Sequence, residues 1–162
     1  MMMESIRLEK ANEGDAEAIF QIQLQAFKPL LDKYQDHDTN PGNESIDRVF
    51  KRIHNPNGAF YKIIADETLA GAICVYWKEG CQFWISPMFI SPEFQGKGIG
   101  QRAITLVENE YQQAVTWELA TIQEEERNCY LYEKMGYVTT EVRKKLNERT
   151  TLVFYKKTVV KK

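Results

Sequence analysis

Gln95-Gly96-Lys97-Gly98-Ile99-Gly100 places three glycines in five positions, directly before an amphipathic run. A helix N-terminus leaves four backbone N–H groups without internal partners and carries about half a positive charge. Glycines there remove the Cβ atoms that would keep a ligand away and permit the dihedrals of an anion-binding nest. Lys97 adds a cation, and Gln95 an amide at the mouth of the turn. A ligand-free tight turn fits the glycines alone. The Gly-Lys-Ser/Thr of a Walker loop is absent, and the third glycine of a GxGxxG fingerprint would fall on Gln101. Further along, Asn128 and Tyr132 stand four apart, so a helix would present an amide and a phenol on one face. Leu131 and Met135 would supply the neighbouring, buried face. Tyr132 could serve as a proton donor, with Tyr130 as a rival, or could simply pack. Cys129 has no histidine near it in sequence and reads as a structural thiol.

These residues need elements to hold them. Ile6 to Lys10 reads as an opening strand. Asn12 caps a helix carrying Ile19, Ile22, Ala26, Phe27 and Leu30 at helical spacing, which Pro29 kinks or ends. KYQDHDTNPGNES reads as a polar, turn-rich loop. A second helix shows Ile46, Val49, Phe50 and Ile53 on one face. Strand-like runs follow at Ala59 to Ala65, Leu69 to Lys78 and Gln82 to Ile90, joined as hairpins. A helix from about Gly98 to Gln113 turns Ile99, Ala103, Leu106, Val107 and Tyr111 inward. Val115 to Thr121 is a strand, and Asn128 to Met135 a short helix closed by Gly136 in a left-handed cap. Tyr137 to Lys145 and Thr151 to Lys157 form a last hairpin. The expected fold is α/β (α+β): a mixed, mostly antiparallel central sheet of about six or seven strands, about four flanking helices, and one parallel step across the central helix.

Composition narrows the function. The chain has 162 residues, 43% hydrophobic and 27% charged, which fits one globular domain over 1–162. A net charge of −2 argues against a nucleic-acid partner. Lys156, Lys157, Lys161 and Lys162 read as a solvated strand and tail. Three scattered cysteines and two histidines suit a reducing cytoplasm and build neither a disulfide framework nor a metal site. The opening MMMESIRLEK lacks the apolar core of a signal peptide, and no run is long enough to span a membrane. Exposed strand edges permit a homodimer.

Gln95 to Gly100 resembles the [Q/R]-x-x-G-x-[G/A] signature of the GNAT superfamily of N-acetyltransferases. Ile90-Ser91-Pro92-Glu93-Phe94 resembles that family's strand-to-loop entry, and Leu131-Tyr132-Glu133-Lys134-Met135-Gly136-Tyr137 its closing motif. The element order is similar over about residues 5 to 157. The resemblance implies acetyl-CoA as co-substrate and no metal. Its pyrophosphate would lie on the amides from Gln95 to Gly100, with Ile99 at the helix start. Its pantetheine arm would pair with backbone groups of Met88, Phe89 and Ile90, one N–H polarising the thioester carbonyl. Tyr132 matches the family tyrosine that protonates the departing thiolate.

The implied reaction is attack of a primary amine of a small molecule, peptide or protein on the thioester. An alkylamine with a pKa near 10.4 must lose a proton, at a cost of about 4 to 5 kcal/mol at pH 7. Glu118 is the candidate base, with ordered water as the alternative. Gln82 to Ile90 contains no acidic residue, so the glutamate some members carry on that strand is missing. Glu125 stands where many members place an asparagine, and the cofactor-side role passes to Asn128. For the acceptor, Tyr34 and Trp84 could wall a pocket, and Asp36 with Asp38 could neutralise an ammonium. A non-catalytic acyl-CoA sensor or docking domain would keep the glycine turn without needing Tyr132. A nucleotide-phosphate binder would take ATP or NAD instead.

Overall fold

The computed structural model describes residues 5–159. Residues 1–4 of the MMMESIRLEK opening, and Lys161 and Lys162, lie outside the described residues. In chain order the elements are β1 (Ile6–Lys10), α1 (Ala16–Tyr34), α2 (Ile46–His54), β2 (Gly58–Ala65), β3 (Thr68–Lys78), β4 (Gln82–Ile90), α3 (Ile99–Glu110), β5 (Thr116–Ile122), α4 (Glu126–Lys134), β6 (Val138–Asn147) and β7 (Thr150–Thr158). The strands form one seven-stranded sheet in the order β1-β2-β3-β4-β5-β7-β6. Every pairing is antiparallel except β4 with β5, where α3 makes the crossover.

The mixed α/β architecture with its mostly antiparallel sheet follows the sequence periodicity. One face of the sheet packs on α3 and α4 through Phe83, Ile99, Ile104, Val107, Trp117 and Tyr155. The other packs on α1 and α2 through Ile19, Val49, Phe60, Ala72 and Phe89. In α3 the fully buried positions are Ile99, Ala103, Ile104 and Val107, whereas Leu106, expected inside, is only half-buried. The inward stripe is rotated by about half a residue from the expected one, as happens when a flat sheet rather than a narrow seam receives a helix.

Pro29 does not end α1. The helix continues to Tyr34, with the proline inside it. Proline removes one intrahelical donor, but tertiary contacts hold the flanking turns. Phe27 meets Phe89 edge-on with ring centroids 5.9 Å apart. The last carbonyls of α1 are also capped from far away: Asn147 Nδ2 donates to the Tyr34 oxygen at 2.9 Å, and an Arg149 guanidinium nitrogen to the Lys33 oxygen at 3.2 Å.

The connection from α1 to α2 is more than a solvated loop. Gln23 is buried and donates from Nε2 to the Pro41 oxygen at 2.8 Å and to Glu44 Oε1 at 3.0 Å. Arg52 grips both oxygens of Glu44, at 2.8 and 2.9 Å. Asp36 and Asn40, both buried, bond to each other across one turn. Lys157 also departs from the solvated reading, since its Nζ donates to Glu108 Oε1 at 2.8 Å and sits 5.6 Å from the Tyr137 ring centroid.

Candidate active site

The sheet opens at its centre. β4 and β5 pair only through Gln82↔Thr116, Phe83↔Trp117 and Trp84↔Glu118. Beyond that point β4 continues from Ile85 to Ile90 on β3 alone, while β5 continues from Leu119 to Ile122 on β7 alone. The divergence coincides with a bulge in β4 at Ser86–Pro87, whose peptide bond is cis. Each strand therefore turns an unpaired edge toward a wedge-shaped gap. Unpaired edge groups are a ready template for an extended partner.

At the wide end of the gap lies the glycine turn. Gly96 and Gly98 have φ of +78° and +76°, and a Cβ on either would meet nothing within 4 Å. Glycine is thus required there by backbone conformation, and the surface above it is open. Among the described residues none of the six amides from Gly96 to Gln101 donates to the protein. Unpaired amides beside an open surface at the start of a 12-residue helix suit an anionic group. Gln95 lines this surface, and its Nε2 donates to the Ile90 oxygen at 2.9 Å, which ties the turn to the end of β4. Gly100 is close to Met88 Cε and Leu131 Cδ2, at 3.4 and 3.7 Å from an added Cβ, so it admits those side chains.

Two cavities meet in the gap. The larger, about 440 Å³, runs along the turn past Met88, Phe89, Ile90, Gln95, Gly96, Gly98, Ile99 and Gly100 to Asn128 and Tyr132. The smaller, about 230 Å³, lies beneath the α1–α2 connection and the β6–β7 hairpin. Phe27, Leu30, Met88, Asn128 and Tyr132 line both.

Tyr132 stands at that junction. Three other buried tyrosines each donate to a glutamate: Tyr34 to Glu125 at 2.8 Å, Tyr137 to Glu108 at 2.8 Å and Tyr155 to Glu133 at 2.6 Å. The Tyr132 hydroxyl has no hydrogen-bond partner among the described residues, although the side chain is only 9% exposed. Burial pushes its phenol up to about 12, with the Cys129 thiol adding a smaller push the same way. The group therefore stays protonated and keeps its donor free.

Not all candidate residues converge. Asp36 lines the smaller cavity, and Asn128 lines both. Lys97 is exposed and lines neither. Tyr34 is 4% exposed and spends its hydroxyl on Glu125, so it braces α1 against the start of α4 from outside the cavities. Trp84 stacks on Tyr76 with ring centroids 6.2 Å apart, beside Lys78 Nζ at 5.8 Å. Glu118 lies opposite Trp84 in the last β4–β5 pair before the strands part, and neither lines either of these two cavities. Sequence reasoning missed Arg127, which gives the wall of the larger cavity a cationic side chain that Lys97 does not supply. Its position four before Leu131 was the available signal. It also missed Leu146 and Leu152 of the last hairpin, which close the smaller cavity.

A splayed parallel pair, an amide cradle at a helix start and a free phenol between two cavities occur together in one gap. The acetyltransferase (GNAT) family model matches residues 17–137, and the chain belongs to that family. It is thus an acyltransferase. Among curated proteins it is similar to the uncharacterized protein YrkN of Bacillus subtilis (strain 168), 30% identical over 138 residues, covering 83% of this chain and 74% of that one. The fold is similar to the ribosomal-protein-S18-alanine N-acetyltransferase from Escherichia coli, with a TM-score of 0.78, 12% identity and coverage of 98% and 96%. It is also similar to a GNAT family acetyltransferase from Elizabethkingia anophelis with acetyl-CoA bound, with a TM-score of 0.69, 17% identity and coverage of 96% and 99%. Among the described residues no helix is long and apolar enough to cross a membrane, and no cluster of metal-ligating side chains occurs.

Proposed function

We propose that this chain transfers the acetyl group of acetyl-CoA to a primary amine by direct attack. The observation that carries the reading is the unpartnered Tyr132 hydroxyl at the junction of the two cavities. In this reading the amides from Gly96 to Gln101 hold the pyrophosphate, with Arg127 nearby. The free edge of β4 at Met88, Phe89 and Ile90 pairs with the pantetheine arm, and an N–H there polarises the thioester carbonyl. The smaller cavity takes the acceptor.

Magnitudes decide how Tyr132 acts. A phenol near 12 facing a thiolate of about 8.5 would transfer its proton uphill by about 5 kcal/mol. A hydrogen bond to a charged group returns only about 1.5 to 3 kcal/mol. Tyr132 therefore donates a hydrogen bond to the departing sulfur, and any proton it gives up is replaced from the attacking nitrogen. Glu118, outside both cavities, is poorly placed to deprotonate the amine, which favours ordered water for that step. The free thiols Cys74, Cys81 and Cys129 suit the reducing cytoplasm as the place of action.

Thermal unfolding with acetyl-CoA, CoA, ATP or NAD tests the cofactor. At ligand a hundredfold above the dissociation constant, binding stabilises by about 2.7 kcal/mol, a shift of roughly 5 to 10 °C. The expected result is a shift with acetyl-CoA and CoA alone, followed by amine-dependent thiol release. Folded protein that shifts with neither overturns the proposal.

A further inference from the structure

We propose that the acceptor cavity selects amines carrying a second cationic nitrogen, held by Asp36 and separated from the reacting nitrogen by an apolar spacer. The inference rests on the acetyltransferase reading and names the substrate class for that site.

Among the described residues, Asp36 supplies the only carboxyl group in the wall of the smaller cavity, and no lysine, arginine or histidine lines it. The side chain is 7% exposed. Its Oδ1 accepts from Asn40 Nδ2 at 3.0 Å, and its other oxygen has no partner among the described residues. None of the ion pairs among the described residues includes it. A carboxylate this buried is costly unless a cation or several donors meet it. Elsewhere in the same connection that requirement is met within the chain, since Glu44 receives Arg52 through two bonds. At Asp36 no cation meets it among the described residues, and the residue belongs to the wall of the smaller cavity.

The reacting nitrogen is not the cation in question. It must be neutral to attack, and it must reach the junction where Met88, Asn128 and Tyr132 face both cavities. Asp36 lines the smaller cavity only, with Thr39, Asn40 and Pro41 of the same connection. The positive charge that Asp36 requires therefore belongs to the far end of the acceptor. Most of the remaining wall is apolar, including Leu30, Ile85, Leu119, Ile122, Leu146 and Leu152, which suits methylenes and resists a polar middle. At about 230 Å³ the cavity is smaller than the sites that hold drug-sized ligands, so the acceptor is a short chain.

Asp36 could instead serve only to shape the loop through Asn40. Asp36→Asn separates the two roles, because it keeps the Oδ1 acceptor and the side-chain shape but removes the charge. The experiment is calorimetric titration of 1,5-diaminopentane and of 1-aminopentane into the full chain, with and without saturating CoA. We expect the diamine to bind about 10- to 100-fold more tightly than the monoamine, the range of one hydrogen bond to a charged group. Asp36→Asn should erase that preference and leave the monoamine within about threefold. Equal affinities in the wild type, no binding of either amine, or equal weakening of both by Asp36→Asn overturns the proposal. Should the variant fail to fold, the wild-type comparison alone decides. Absence of CoA binding would sink the acetyltransferase reading separately, and the amine comparison without CoA would still stand.

Discussion

Replacing Tyr132 by phenylalanine removes one oxygen and leaves the buried ring. Because that oxygen has no protein partner among the described residues, the folded state loses no hydrogen bond, and stability should move by less than about 0.5 kcal/mol. Turnover should respond differently. A donor to a departing thiolate is worth about 1.5 to 3 kcal/mol, so kcat should fall about 10- to 100-fold. Acetyl-CoA affinity should stay within about threefold, since the interaction strengthens only as charge develops on sulfur. The assay is CoA thiol release at saturating acetyl-CoA, paired with a urea unfolding curve and a binding isotherm for the same variant. Unchanged kcat would refute the donor role. A loss of about 10³- to 10⁴-fold would refute the energetic argument instead, because that is the upper range of general acid catalysis by proton transfer. Tyr137→Phe is the control: it takes a donor from the half-buried Glu108 and should cost about 1 kcal/mol of stability.

Three other outcomes follow from the same geometry. Gly98→Ala places a side chain at φ +76°, which should cost about 1 kcal/mol of stability, and it should weaken CoA at least about tenfold by obstructing the amide cradle; equal CoA affinity by calorimetry would remove the turn from the binding site. Glu118→Gln should leave kcat within about threefold, because Glu118 lines neither cavity; a loss of about a hundredfold in thiol release would restore it as the base. Alkali should destabilise the protein: unfolded tyrosines ionise from about pH 10, whereas burial holds Tyr132 to about 12 and also raises Tyr111, Tyr137 and Tyr155. The unfolded state then binds fewer protons in that window, so stability is full below about pH 10 and falls as pH rises toward about 12. Urea midpoints should drop between about pH 10 and 11, less steeply in Tyr132→Phe, and a flat midpoint would contradict the buried phenols.

The fold was legible because its signals are local. Strand-like runs joined by short turns marked β2 to β4, and glycine at positions 96, 98 and 136 marked backbone that only glycine adopts freely. The cofactor side of the site lies in one continuous stretch, so its glycines and the end of β4 could be read together. The acceptor side could not, because it is assembled from distant segments. Asn147 reaches Tyr34 across 113 positions, and Leu146 and Leu152 arrive with that hairpin. A polar stretch such as 35–45 reads as solvated unless Gln23, Glu44 and Arg52 are known to pull it inward. The phase of Glu118 was hidden for a related reason: Trp117 and Leu119 claim the α3 side, and only the three-pair contact with β4 shows where the strand closes. The acidic stretch before α4 is likewise tied by distant partners, since Glu124 accepts the Thr151 amide and Glu125 the Tyr34 hydroxyl.

The sheet is stitched across its centre by three residue pairs, and the rest of that seam is open. A carrier lying in the seam would finish the sheet from outside the chain. The protein's survival would then depend on its supply of reagent: with CoA scarce, the two halves of the sheet would part more often and be cut or degraded sooner. Starvation for the acyl donor would lower the amount of enzyme as well as its rate, a form of control that needs no second site.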